Sequence, residues 1–175
     1  MKLKTRDIVY IGFIAALCAV ATTIRIEIPG GAMVHLGSAA LFTTSILFGG
    51  LYGGLGAAIG SALFDLFGGH TQYIVFSFFI KGIAGLIVGG MTAGYLPPSI
   101  TKPNASFTRI LVALIIGTIW TAFGYFLAWW FVLKSAAVAA SKIQYSLITS
   151  AAGIVVAIVL TPKLQTIVRR LFTKN

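Results

Sequence analysis

The chain reads as a succession of continuous apolar runs separated by short polar or glycine- and proline-rich breaks. The first run extends from Ile8 to Ile24 and is broken by Arg25, Glu27, Pro29, Gly30 and Gly31. A second and a third, Leu36 to Gly50 and Leu51 to Phe67, are short and meet at Gly49-Gly50. After the polar stretch Gly68-Gly69-His70-Thr71-Gln72, a fourth run occupies Tyr73 to Tyr95 and stops at Pro97-Pro98. The polar loop Ser99 to Ser106, with Lys102, Pro103 and Asn104, leads to a long fifth run, Phe107 to Leu133. Lys134 to Lys142 separates it from a sixth, Ile143 to Leu160, which meets Pro162 and a basic tail. A helix of about 20 apolar residues crosses the hydrocarbon core of a bilayer. Helices satisfy their own backbone groups in lipid, whereas a membrane β-barrel would show alternating segments that are absent here. The pattern predicts an all-α integral membrane bundle of six transmembrane helices. They form one domain over residues 1–175, at approximately 8–24, 36–50, 51–67, 73–95, 107–133 and 143–160.

Composition agrees: 58% of residues are hydrophobic and 9% charged, where soluble domains carry roughly a quarter charged. The net charge of +10 does not point to nucleic acid, because the basic residues stand at the ends of apolar runs. With both termini cytoplasmic, the inner side holds Lys2, Lys4, Arg6, Lys102, Arg109, Lys163, Arg169, Arg170 and Lys174. Arg25, Lys81, Lys134 and Lys142 then fall outside or within the membrane, the asymmetry expected of a multi-pass protein of a bacterial plasma membrane. The segment Met1 to Arg6 imitates a secretory signal. Ile24-Arg25-Ile26-Glu27 offers no small-residue cleavage site, so a retained first helix is expected. Cys18 lies in an apolar run and reads as a buried thiol.

Small residues recur at helical spacing. Ala15 and Ala19 form one pair, Gly56 and Gly60 another, and Gly82, Gly85 and Gly89 a third set. Such strips let helix backbones approach closely where lipid supplies no hydrophobic drive. The glycine sets are expected inside the bundle, whereas the alanine pair could pack internally or meet a partner subunit.

The orientation that places the termini inside gathers the polar chemistry at the external face. Asp65 and Lys81 are the ionisable groups set most deeply in apolar sequence, where a lone charge costs about 2.5–3.5 kcal/mol unless it pairs or lines a cavity. His35 and His70 fall in external loops with no cluster of carboxylates or thiols, so no metal or cofactor is expected. Tyr73, Trp129 and Trp130 stand at outer helix ends, as interfacial anchors or as faces on which a flat ring could stack. Gln72, Gln144 and Glu27 add hydrogen-bonding groups, completing the candidate binding set. No G-x-x-x-x-G-K-[ST] loop is present, so ATP hydrolysis by this chain is not expected. Ser38 with His35 or His70 could suggest an intramembrane hydrolase, but histidines in loops do not meet a serine inside a bundle.

From His35-Leu36-Gly37 through Leu47-Phe48-Gly49, Gly53, Gly56 and Gly60-Ser61 to Asp65, the sequence resembles the S components of energy-coupling factor (ECF) vitamin importers. The resemblance continues through Gly69, Phe78, Ile80-Lys81-Gly82 and Gly85. The most similar subgroup is riboflavin-type, whose members also handle pyridoxine, hydroxymethylpyrimidine and other compounds. The resemblance implies a non-catalytic subunit that binds a vitamin externally. It would associate with a transmembrane T subunit and two cytoplasmic ATPases, then topple in the membrane to release its cargo. It also implies that Ala15 and Ala19 face the T subunit and that Arg25 to Val34 form an external lid. One departure is Ser38, where relatives carry an acidic or amide residue after His-Leu-Gly. A small B-vitamin-like heterocycle, pyridoxine or hydroxymethylpyrimidine before riboflavin, is the expected ligand. A solitary permease is the reading of another class.

Overall fold

A computed structural model describes residues 4–28, 32–95 and 105–172. Among them are six α-helices: α1 (Thr5–Thr23), α2 (Gly37–Phe48), α3 (Gly50–Phe67), α4 (Ile74–Thr92), α5 (Phe107–Leu133) and α6 (Ala136–Phe172). Five are long and apolar enough to cross a membrane. The sixth, α2, has 12 residues and spans about 18 Å, well short of a hydrocarbon core about 30 Å thick. Its setting explains how so apolar a helix can be so short. It touches α1, α3, α4 and α6 and is buried at nearly every position, so protein rather than lipid surrounds it.

The glycine sets are contact surfaces inside the bundle. A Cβ on Gly85 would stand 2.7 Å from the Gly54 Cα, and one on Gly53 2.5 Å from the Ser45 Cα. Gly56 and Gly60 meet Ile14 and Ala15 of α1 just as closely. Gly49, with φ 85°, makes the one-residue turn from α2 to α3 in a left-handed conformation that favours glycine. At this end of the molecule the Asp7 carboxylate accepts from the Lys4 backbone N–H (2.8 Å) and the Tyr52 hydroxyl (2.7 Å), fastening the start of α1 to α3.

Two segments depart from the sequence expectation. Residues around 25–34, expected as an open loop, contribute the antiparallel strands β1 (Arg25–Ile28) and β2 (Ala32–His35), with Arg25 opposite His35 and Glu27 opposite Met33. The fold is therefore nearly rather than wholly helical. Lys134 to Lys142, expected as a connection, is mostly the start of α6. Lys134 alone turns the chain, in a left-handed conformation (φ 56°), and the Ser135 hydroxyl accepts from the Val138 N–H (3.4 Å) as an N-cap. Pro162 does not end α6, since membrane helices tolerate proline where neighbouring groups take up the freed carbonyl. The Pro29-Gly30-Gly31 break, the Pro97-Pro98 stop, Lys102, Pro103, Asn104, Lys2 and Lys174 lie outside the described residues.

Candidate binding site

At the end of the bundle opposite the Gly49 turn, a cavity of about 830 Å³, counted with its open mouth, lies between β2 and the helices. Its polar lining follows a simple rule. Ser61 and Asp65 on α3, Ser77 and Lys81 on α4, Thr121 and Tyr125 on α5, and Ser146 and Ser150 on α6 are each four residues apart. That spacing puts both members of a pair on one helix face. Four helices thus turn a polar stripe toward the same space while their other faces remain apolar.

Lys81 and Ser38 meet at the inner part of this lining. The Lys81 ammonium, 4% exposed, donates to the Ser38 hydroxyl (3.1 Å) and lies 5.4 Å from the centre of the Tyr125 ring. Asp65 is 7% exposed, and its Oδ2 has no hydrogen-bond partner among the described residues. No ion pair joins Asp65 to Lys81, although both face the cavity. The buried His70 Nε2 and Ser150 Oγ are likewise without a partner among the described residues. Buried polar atoms are ordinarily satisfied, and three such atoms on residues lining one cavity mark a space suited to a polar occupant.

The aromatic wall is Tyr125 and Trp129, with ring centres 5.6 Å apart and planes tilted by 30°. The Tyr125 hydroxyl is 3.1 Å from the Ser77 hydroxyl, which fixes the phenol edge. β2 covers the space from the side: Met33 and His35 line it, and the Thr149 hydroxyl donates to the Met33 carbonyl (3.4 Å), tying the hairpin to α6. The Gly37 N–H donates to His35 Nδ1 (3.1 Å), so the ring is held as the neutral tautomer protonated at Nε2. Burial, aided by the charges of Lys81 and Arg25, pushes its pKa down to about 3.

Of the ten binding candidates read from the sequence, His35, Asp65, His70, Tyr73, Lys81 and Trp129 line the cavity. The other four do not. Glu27 stays 67% exposed and pairs with Arg25 (2.7 Å), while the Arg25 guanidinium stacks over Phe64 (5.1 Å). Gln72 and Gln144 lie outside the lining, and Trp130 is half exposed on the outer surface of α5. Sequence position at an outer helix end did not distinguish the inward face from the outward one. Ser38, Ser77, Thr121, Tyr125, Ser146, Thr149 and Ser150 also line the cavity and were missed in the sequence. For all but Ser38, a lining residue four positions away in an apolar helix was the available signal. Ser38 accepts from a lysine, with no histidine among its hydrogen-bond partners.

The alanine pair needs correction. Ala15 is 2% exposed and packs against Gly56 and Gly60, so a partner subunit could not touch it. Ala19 is partly exposed. The small residues that α1 turns outward are Ala16 and Gly12, where a Cβ would have open space for 4 Å around it.

The family described as ECF-type riboflavin transporter, S component, matches residues 2–166. An uncharacterized protein from Pyrococcus woesei, encoded in a gap 3′ region, is 31% identical over 111 residues, covering 63% of this chain and 68% of the relative. A solved structure described as the S component of a bacterial ECF transporter superposes with a TM-score of 0.72 at 19% identity. That match covers 94% of this chain and 98% of the other, and establishes a shared fold.

Proposed function

This chain belongs to the ECF-type riboflavin transporter S component family, and from that premise we propose that the cavity captures a small B-vitamin-like heterocycle for ATP-driven import. An S component is the substrate-binding, non-catalytic subunit of a vitamin transporter. The observation that carries the reading is the convergence of four polar helix stripes and the Tyr125–Trp129 wall on one cavity at one end of an otherwise apolar bundle. Such a site combines flat faces for a ring with a few fixed polar groups that set its orientation.

In this reading both termini are cytoplasmic, all six helices belong to the membrane domain, and the cavity opens externally in a cell membrane. The excess of Lys and Arg near the chain termini and between the fourth and fifth apolar runs of the sequence supports that orientation. The β1–β2 hairpin acts as the lid, anchored through Thr149. A T subunit and two ATPases supply the driving force, and the outward face of α1 around Gly12, Ala16 and Ala19 is the docking surface for the T subunit. Pyridoxine or hydroxymethylpyrimidine is the first substrate choice. Riboflavin is the alternative, favoured by the description of the family.

Native mass spectrometry of the gently purified chain, released from its micelle, tests the reading. A retained vitamin is the expected result and identifies the substrate. A chain that is empty and ignores a micromolar panel of vitamins would overturn it in favour of a solitary permease, a reading that copurifying T and ATPase subunits would in turn exclude.

A further inference from the structure

The cavity holds two buried ionisable side chains of opposite type, Asp65 and Lys81, with no ion pair between them. Lys81 is held by one hydroxyl and an aromatic face, which leaves further N–H donors of its ammonium for an occupant. Asp65 presents a carboxylate oxygen with no donor among the described residues, and His70 adds an unpartnered ring nitrogen. The nearby Arg25 is already engaged by Glu27 and Phe64. His35 is held neutral by the Gly37 N–H at its Nδ1. The lining therefore offers one free carboxylate oxygen, on Asp65, and one cationic position, on Lys81. An apolar ring would leave both uncompensated, and an ion of either sign would satisfy one while opposing the other.

We propose that the cavity selects a small amphoteric heteroaromatic ring, presenting a donating nitrogen to Asp65 and an oxyanion or other strong oxygen acceptor to Lys81. Its faces would lie along Tyr125 and Trp129. The inference rests on the binding-subunit reading and deepens it: size alone admits many rings, whereas this polarity admits those with a donor edge and an acceptor edge.

The test compares ligands edited at one edge. Pyridoxine carries a ring nitrogen and a phenolic oxygen, and its 3-O-methyl ether lacks the oxyanion. Hydroxymethylpyrimidine carries an amino donor, and the analogue with hydrogen in place of that amino group lacks it. Titration calorimetry of the intact chain in detergent should show one parent ring binding and its edited analogue weakened by about ten- to hundredfold, the range of a charged hydrogen bond. Lys81→Met should weaken pyridoxine comparably while leaving the ether unchanged, and Asp65→Asn should weaken every ring with a donor edge. If a variant loses its monodisperse form, the analogue comparison on the unaltered chain decides. Equal binding of parent and edited rings, or tight riboflavin binding indifferent to both variants, would overturn the amphoteric selection while the binding-subunit reading stood. Binding of none of these probes, with no retained molecule, would overturn both.

Discussion

The Lys81 ammonium donates a 3.1 Å hydrogen bond to the Ser38 hydroxyl, joining α4 to the first turn of α2 at the wall of the cavity. The partner is short and uncharged, so it positions the lysine without cancelling its charge. It also ties the central helix to a helix on the outside of the bundle.

Ser38→Ala should therefore destabilise the chain. Hydrogen bonds to charged groups contribute about 1.5–3 kcal/mol, and the ammonium would lose its hydrogen-bond partner in a buried site. Thermal unfolding in detergent should show a lowered midpoint, largely restored by Ser38→Thr, which keeps a hydroxyl. An unchanged midpoint for the alanine variant would mean that Lys81 finds another partner at no cost.

Gly85→Leu should be more damaging than any exposed substitution on the same helix. Even a Cβ at this position would stand 2.7 Å from the Gly54 Cα, backbone that cannot rotate aside. Overpacking of this kind costs about 1–3 kcal/mol or more, and here α3 and α4 would have to separate. Loss of the monodisperse peak on size exclusion is the expected readout, with Gly12→Leu as the tolerated control.

The helices and their glycine contacts were legible because lipid leaves so few alternatives. Continuous apolar runs must be helices, and small residues every three or four positions must be where helices touch. What the runs concealed was azimuth. Trp129 and Trp130 are neighbours in sequence, yet one lines the cavity and the other faces out, because successive residues on a helix point about 100° apart. The hairpin escaped notice because two four-residue strands leave almost no periodic signal, and Pro29-Gly30-Gly31 in the sequence reads as a break. The early start of α6 was hidden by Lys142, which the helix covers rather than exposes.

His35 gives the stability a defined dependence on pH. Its folded-state pKa of about 3 lies below the ordinary 6.5, so between these values the unfolded chain binds a proton that the folded chain refuses. The neutral ring's contribution is complete above about pH 6.5 and is lost progressively as pH falls toward 3. Unfolding midpoints measured across this window should decline on acidification, and His35→Gln should remove that part of the slope. A parallel decline in parent and variant would assign the acid sensitivity to other groups.

Glu27→Gln separates the hairpin surface from the cavity. The carboxylate is 67% exposed and pairs with Arg25, and such surface pairs contribute about 0–1 kcal/mol. Ligand affinity and unfolding midpoint should both stay close to the parent values. A large loss of affinity in calorimetry would show that Glu27 swings inward when the cavity is filled.

The two faces of α1 should respond oppositely to added bulk. Ala15→Leu would drive a side chain into Gly56 and Gly60, so the isolated chain should be destabilised and ligand binding should fall with it. Ala16→Leu projects from the exposed face, where lipid or a partner can be displaced, so the isolated chain should keep its unfolding midpoint and its ligand. If this face docks the T subunit, as proposed, Ala16→Leu should lose copurification of the T and ATPase subunits and uptake by whole cells, although it folds as well as the parent. Retained assembly and uptake in Ala16→Leu would place the partner on another helix, and a destabilised Ala16→Leu chain would mean that α1 turns this residue into the bundle rather than outward.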